Sequence, residues 1–110
     1  MPYISTDSVK AIRNELKIKI PEAKLTIRRE HHMKVIATLK AAPYDFNPTD
    51  YVNVYYIKER YDVVKAELLE RIINCLNMFQ GEAHEDSDYG WIPTYYIDIV
   101  ISDNYKQTAK

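Results

Sequence analysis

Glycine is scarce in this chain, with two in 110 residues, and cysteine is scarcer, with one. So few glycines argue against a loop-rich or disordered polymer, because glycine is the residue that takes irregular backbone at least cost. The lone Cys75 excludes an intramolecular disulfide and fits a reducing cytoplasm; its helical spacing marks it as a small core residue rather than a nucleophile. No apolar run approaches the roughly 20 residues of a membrane span. The opening MPYISTDS also lacks a charged-then-apolar leader pattern. HExxH and paired-cysteine motifs are missing, as are internal repeats and low-complexity tracts. The expectation is a soluble cytoplasmic protein with no membrane partner and no cofactor.

What is present is hydrophobic and aromatic. At 46% hydrophobic residues, residues 1–110 fit a single domain with one core, and ten tyrosines favour strands with aromatic packing. Residues 103–110 are expected to form a flexible tail.

Charge is divided unevenly. Residues 1–60 carry eleven Lys/Arg against seven Asp/Glu, whereas residues 61–110 carry four against nine, so the net charge of -1 hides two opposed halves. Most positive charge lies in Lys24–Lys40 and much of the negative charge in Glu82–Asp88, an asymmetry expected of a charged contact surface.

The first element is expected to be a helix: Ser5 or Thr6 can cap it, Asp7 suits its positive end, and Val9, Ile12, Leu16 and Ile20 recur at helical spacing until Pro21. Two strands follow, with Ala23, Leu25 and Ile27, then Met33, Val35, Ala37 and Leu39, alternating with a basic set. Arg29–His32 connects them as a hairpin. Ala42–Asp50, with two prolines, is a loop. Tyr51–Ile57 reads as a third strand. Asp62 then caps a second helix with an apolar stripe of Tyr61, Val64, Leu68, Ile72, Cys75, Leu76 and Phe79, ended by Gly81. Tyr95, Ile97, Ile99 and Ile101 alternate in the last strand.

The fold class implied is α+β. It is a two-layer sandwich in the order α-β-β-β-α-β, a four-stranded, largely antiparallel sheet with two helices on one face. Leu25, Ile27, Val35, Leu68, Ile72, Ile97 and Ile99 should then be buried together. The other face, with Lys24, Arg28, Lys34 and Lys40, is left open.

Ile12, Arg13, Leu16, Lys17, Pro21, Arg28, Arg29, His31 and His32, with Asp86, Ser87, Asp88 and Tyr89 ahead of Tyr95 and Tyr96, form a pattern. It resembles the large polyvalent-protein-associated domains, small domains encoded by phages, plasmids and other mobile elements. After Asp88 the run Gly90, Trp91, Ile92, Pro93 departs from the family's pattern. The resemblance implies an origin in a mobile element and a setting of counter-defence, including anti-CRISPR-type inhibition, rather than a catalytic activity.

Three chemistries compete for the charged residues. His31, His32, His84, Glu85, Asp86 and Asp88 are ligand types for zinc or manganese, but adjacent turn histidines point apart, the others sit in an acidic loop, and solvated turn residues are the better explanation. Asp86 and Asp88 could act as an acid/base pair near Trp91, though ordering of a turn by side-chain bonds needs no special environment; Ser87 lacks a glycine elbow. Arg28, Arg29, Lys34 and Lys40 with neighbouring tyrosines could grip nucleic acid, yet the pI near 6.3 is low for that role. Tyr, Trp and Arg are also the residues enriched at protein-binding hot spots. The expectation is therefore a non-enzymatic protein binding a host protein, the alternative being a nucleic-acid-binding module. The contact residues are Arg28, Arg29, His31, His32, Lys34, Lys40, Asp86, Asp88 and Trp91.

Overall fold

The computed structural model describes residues 3–54, 56–80, 84–86, 90–92 and 95–108. Helix α1 (Thr6–Lys19) begins where Ser5 Oγ accepts from the Ser8 amide at 3.1 Å, and ends at Ile20 beside Pro21. Strands β1 (Lys24–Glu30) and β2 (Lys34–Ala42) form the expected antiparallel hairpin. Its turn is closed by the Met33 amide donating to the Glu30 carbonyl at 3.1 Å, with His31 and His32 between them at φ 53° and 62°. Positive φ at both central residues is the requirement of a type I′ turn, normally met by Asn-Gly and here met by two histidines.

The apolar run from Tyr51 is shorter as a strand than its composition predicts. Strand β3 covers Tyr51–Val52 only, because Asn53 opens a turn closed by the Tyr56 amide at 3.1 Å. A short helix α2 (Ile57–Arg60) then drives Ile57 into the core, an element absent from the expected order. Helix α3 (Val63–Leu76) has Asp62 as its cap, as expected, the carboxylate accepting from the Lys65 amide at 2.9 Å. Its buried stripe is Ala66, Leu68, Leu69, Ile72, Cys75 and Leu76, so Val64 and Phe79 turn outward. The helix ends before Gly81: the buried Tyr95 hydroxyl donates to the Leu76 carbonyl and accepts from the Phe79 amide. Gln80 clasps the Tyr95 backbone, Nε2 donating to its carbonyl at 2.6 Å and Oε1 accepting its amide at 3.3 Å.

The expected acidic loop contains a small antiparallel hairpin, β4 (His84–Asp86) with β5 (Gly90–Ile92). Strand β6 (Tyr96–Gln107) continues well past Asp103, where the tail was expected to begin. Tyr105 holds that extension: its hydroxyl donates to the carbonyls of Ala42, at 3.2 Å, and Tyr44, and its ring meets Phe46 edge-on at 5.7 Å.

The main sheet has the order β1-β2-β6-β3. Both outer pairings are antiparallel, but the central one, β2 with β6, is parallel. The fold is thus the expected α+β with a mostly antiparallel sheet, corrected at its centre, since β3, both later helices and the small hairpin form a crossover that brings the chain back in the same direction. A register shift follows Leu39: Leu39 pairs Ile101, whereas Ala41 pairs Lys106.

Pairing rows separate the two faces of this sheet. Ile27, Ala37, Ile99 and Val52 form one row across all four strands, and Leu25, Leu39 and Ile101 form the next. These join Val9, Ile12 and Leu16 of α1 and Leu68, Leu69 and Ile72 of α3 in one hydrophobic cluster. Of the seven residues expected in the core, five are buried; Leu25 and Ile97 are half-buried and packed against it.

Candidate functional site

The face opposite the helices is a grid set by the same register. Glu30, Lys34 and Tyr96 form one row, Arg28, Ile36 and Asp98 the next, and Thr26, Thr38, Val100 and Tyr51 the third. Sequence alternation predicts a basic surface here, and pairing corrects it. Lys34 Nζ lies 3.1 Å from one Asp98 oxygen, while the Tyr51 hydroxyl donates to the other at 2.8 Å. The hydrogen bond and charge of Asp98 hold the Lys34 ammonium above its ordinary range. Arg28 lies 3.8 Å from Glu30 on the same face. Two cations and two carboxylates therefore cancel over the middle of the face.

Ile36 is buried at its centre without belonging to the main core. Arg28 and Asp98 flank it in its own row, and Lys34 and Thr38 lie two residues away along β2 on the same face. Around it Tyr51 and Tyr96 stand exposed. The arrangement is an apolar centre with hydroxyl groups, two aromatic rings and balanced charge.

Arg29 is not part of this surface. Strand parity turns it to the helix side, where Nη1 donates to the Ile4 carbonyl at 3.2 Å. Charge reversal at Arg28 and Arg29 together would therefore remove this brace as well as alter the open face. The nearby segment also holds the turn, since the Ile4 amide donates to the His32 carbonyl at 2.8 Å and Tyr3 stacks on His32. His31 and His32 are both exposed at the turn. Lys40 lies beyond Thr38, half-buried and without an acidic partner among the described residues.

Asp86 and Trp91 occupy strand positions in the small hairpin; their side chains, and all of Asp88, lie outside the described residues. The expected contact residues thus divide: Arg28 and Lys34 share the open face, His31 and His32 the turn, and the half-buried Arg29 the helix side. Among the described residues no three His, Cys, Asp or Glu side chains come together as a metal-binding group. Burial pushes the Cys75 thiol up, away from the thiolate that nucleophilic chemistry requires.

Sequence reasoning missed Asp98 as the partner of Lys34, Tyr51 as a second donor to Asp98, and Tyr96 as the residue opposite Lys34. The alternation of Tyr96, Asp98 and Val100 was legible, but linking it to Lys34 requires β6 to lie beside β2, and strand order is not a local property. Comparison with protein-family models, with curated proteins and with solved structures finds no match. The likeness to large polyvalent-protein-associated domains rests on the short motifs alone.

Proposed function

We propose that this chain is a non-enzymatic interaction protein that binds a host protein through the open side of its sheet. The observation that carries this reading is the cancellation of charge around Ile36, with Lys34 and Tyr51 both engaged on Asp98. A surface that neutralises its own cations gains little from phosphates, because nucleic-acid affinity comes largely from cations free to displace counterions. Exposed aromatic rings around a desolvated centre suit a protein interface instead. The setting this reading carries over from the motif resemblance is the host cytoplasm, with counter-defence inhibition of the anti-CRISPR type as the role. No helix among the described residues is long and apolar enough to cross a membrane.

Affinity capture from host lysate, run with and without nuclease, tests the proposal against Thr38→Arg, which plants a long cation in the row next to Ile36. A nuclease-resistant protein held by the wild type and lost by the folded variant is the expected result. A partner that disappears with nuclease, or with modest salt, transfers the reading to a nucleic-acid module. Equal capture by both proteins overturns the open face as the site.

A further inference from the structure

The two free edges of the main sheet differ. β3 offers two residues, whereas β1 offers seven, Lys24–Glu30, none of them proline. Pairing with β2 is regular from Leu25 to Glu30, so alternate residues turn both backbone groups toward β2 or away from it. The Ile27 carbonyl accepts from Arg13 Nη2 at 3.0 Å, which identifies the outward-facing set as Leu25, Ile27 and Arg29. Such an edge is a template for an added strand.

Both lips of this edge are basic. Burial of Val9, Ile12 and Leu16 fixes the rotation of α1, and Arg13, Leu16 and Lys17 meet Ala23, Leu25 and Ile27 across a shallow groove of about 20 Å³. Lys10 extends the cationic row, lying three residues before Arg13 on the same flank. Exposed Lys24 and Arg28 form the other lip. Of these five cations, only Arg28 has an acidic partner among the described residues, Glu30 at 3.8 Å.

We propose that an extended, acidic segment of a partner protein adds to the free edge of β1 as a further strand, its carboxylates held between the α1 cations and Lys24 and Arg28. This rests on the reading that the chain binds a protein, and adds the place and the chemistry of the segment. Arg13 now donates to the carbonyl that an amide of the incoming strand would take; on docking, its guanidinium passes to a carboxylate, a stronger acceptor. A second copy of this chain is the poorer occupant, because pairing β1 with itself brings two basic lips together.

The probe is a fluorescent synthetic peptide alternating Glu and Val, followed by anisotropy and by amide hydrogen exchange. Binding should slow exchange at the Leu25, Ile27 and Arg29 amides, and methylating alternate peptide nitrogens should abolish it. Lys10→Glu with Lys17→Glu, two exposed positions, should weaken binding about tenfold or more while melting stays unchanged. Lack of binding, binding without protection at β1, or indifference to nitrogen methylation overturns the proposal. So does stronger protection of the same amides by a single-stranded DNA oligomer, or by self-association of the protein alone. Loss of the captured host protein in Thr38→Arg, with β1 amides unprotected by peptide, overturns this edge site and keeps the protein-binding reading. Protection at β1 with capture unaffected by Thr38→Arg does the reverse for the open face.

Discussion

Arg28 and Arg29 are neighbours in sequence and opposites in role. Arg28 stands in water on the open face beside Glu30, while Arg29 reaches inward to the Ile4 carbonyl. The same division runs through Thr38 and Leu39 on β2 and through Tyr95 and Tyr96 at the start of β6. One face of the sheet is held by burial against helices; the other by hydrogen bonds and ion pairs exchanged among its own residues. Adjacent substitutions should therefore differ sharply, and each such pair tests the division.

The largest contrast is expected on the middle strand. Leu39→Ala removes a fully buried side chain from the cluster shared with α1 and α3 and should cost about 2–5 kcal/mol. Thr38→Ala, one residue away on the open face, should stay within about 0.5 kcal/mol. Urea unfolding of both proteins measures this. Comparable losses would mean that the open face is also packed, and the division would fail.

That division was partly legible beforehand, and the reasons are physical. Helix caps at Ser5 and Asp62, the β1–β2 alternation and the apolar stripe of α3 depend on neighbours a few residues away. The parallel placement of β6 beside β2 depends on a crossover spanning half the chain, which alternation cannot encode, because either strand direction uses the same period. Asn53 breaks a run whose composition says strand, since its neighbours close a turn that brings Ile57 to the core. The expected basic face failed for a related reason: Lys34 was visible, but Asp98 became its partner only through strand order. The two-histidine turn carried no standard signal, and its geometry is imposed from outside by Ile4 and Tyr3.

A second contrast sets Tyr95 against Tyr96. Tyr95→Phe leaves the Leu76 carbonyl and the Phe79 amide without their shared hydroxyl at a buried helix end, which should cost about 1–3 kcal/mol. Tyr96→Phe, with its ring exposed, should be nearly silent in thermal melts yet reduce capture of a partner by the open face. Silence at Tyr95 would show that Gln80 alone holds the junction between α3 and β6.

Smaller again is the arginine pair. Arg29→Ala removes a charge-assisted bond to the Ile4 carbonyl and should cost about 1–2 kcal/mol, discounted for its partial exposure. Arg28→Ala should cost about 0.5 kcal/mol or less, its pair being exposed. The sharper readout is local: faster hydrogen exchange around His32 is expected in the Arg29 variant and not in the Arg28 variant. Equal exchange in both would detach Arg29 from the turn.

The smallest effects belong to two ion pairs, one on each side of the sheet, and they titrate in opposite directions. On the helix side Arg71 meets Glu22 at 2.6 Å and also donates to the Lys19 carbonyl at 2.7 Å. The Arg71 hydrogen bond holds the Glu22 carboxyl below its ordinary value of 4.5. A folded pKa below the unfolded one means that the stabilisation is complete above the unfolded value and is lost as pH falls through the folded value. Since both side chains are about a third exposed, screening limits this to about 1 kcal/mol or less. On the open face Lys34 is raised by Asp98 above 10.5, so, with Asp98 ionised, its contribution is complete below the unfolded value and is lost as pH rises through the folded one. Unfolding of Arg71→Gln should therefore show a constant deficit from the Lys19 carbonyl plus a part that fades as the medium is acidified below about pH 4.5. Asp98→Asn should see its difference from wild type shrink on the alkaline side, as Lys34 loses its charge. A deficit in Arg71→Gln that keeps its full size into strong acid would assign the whole role of Arg71 to the Lys19 carbonyl at the end of α1, and leave Glu22 a bystander.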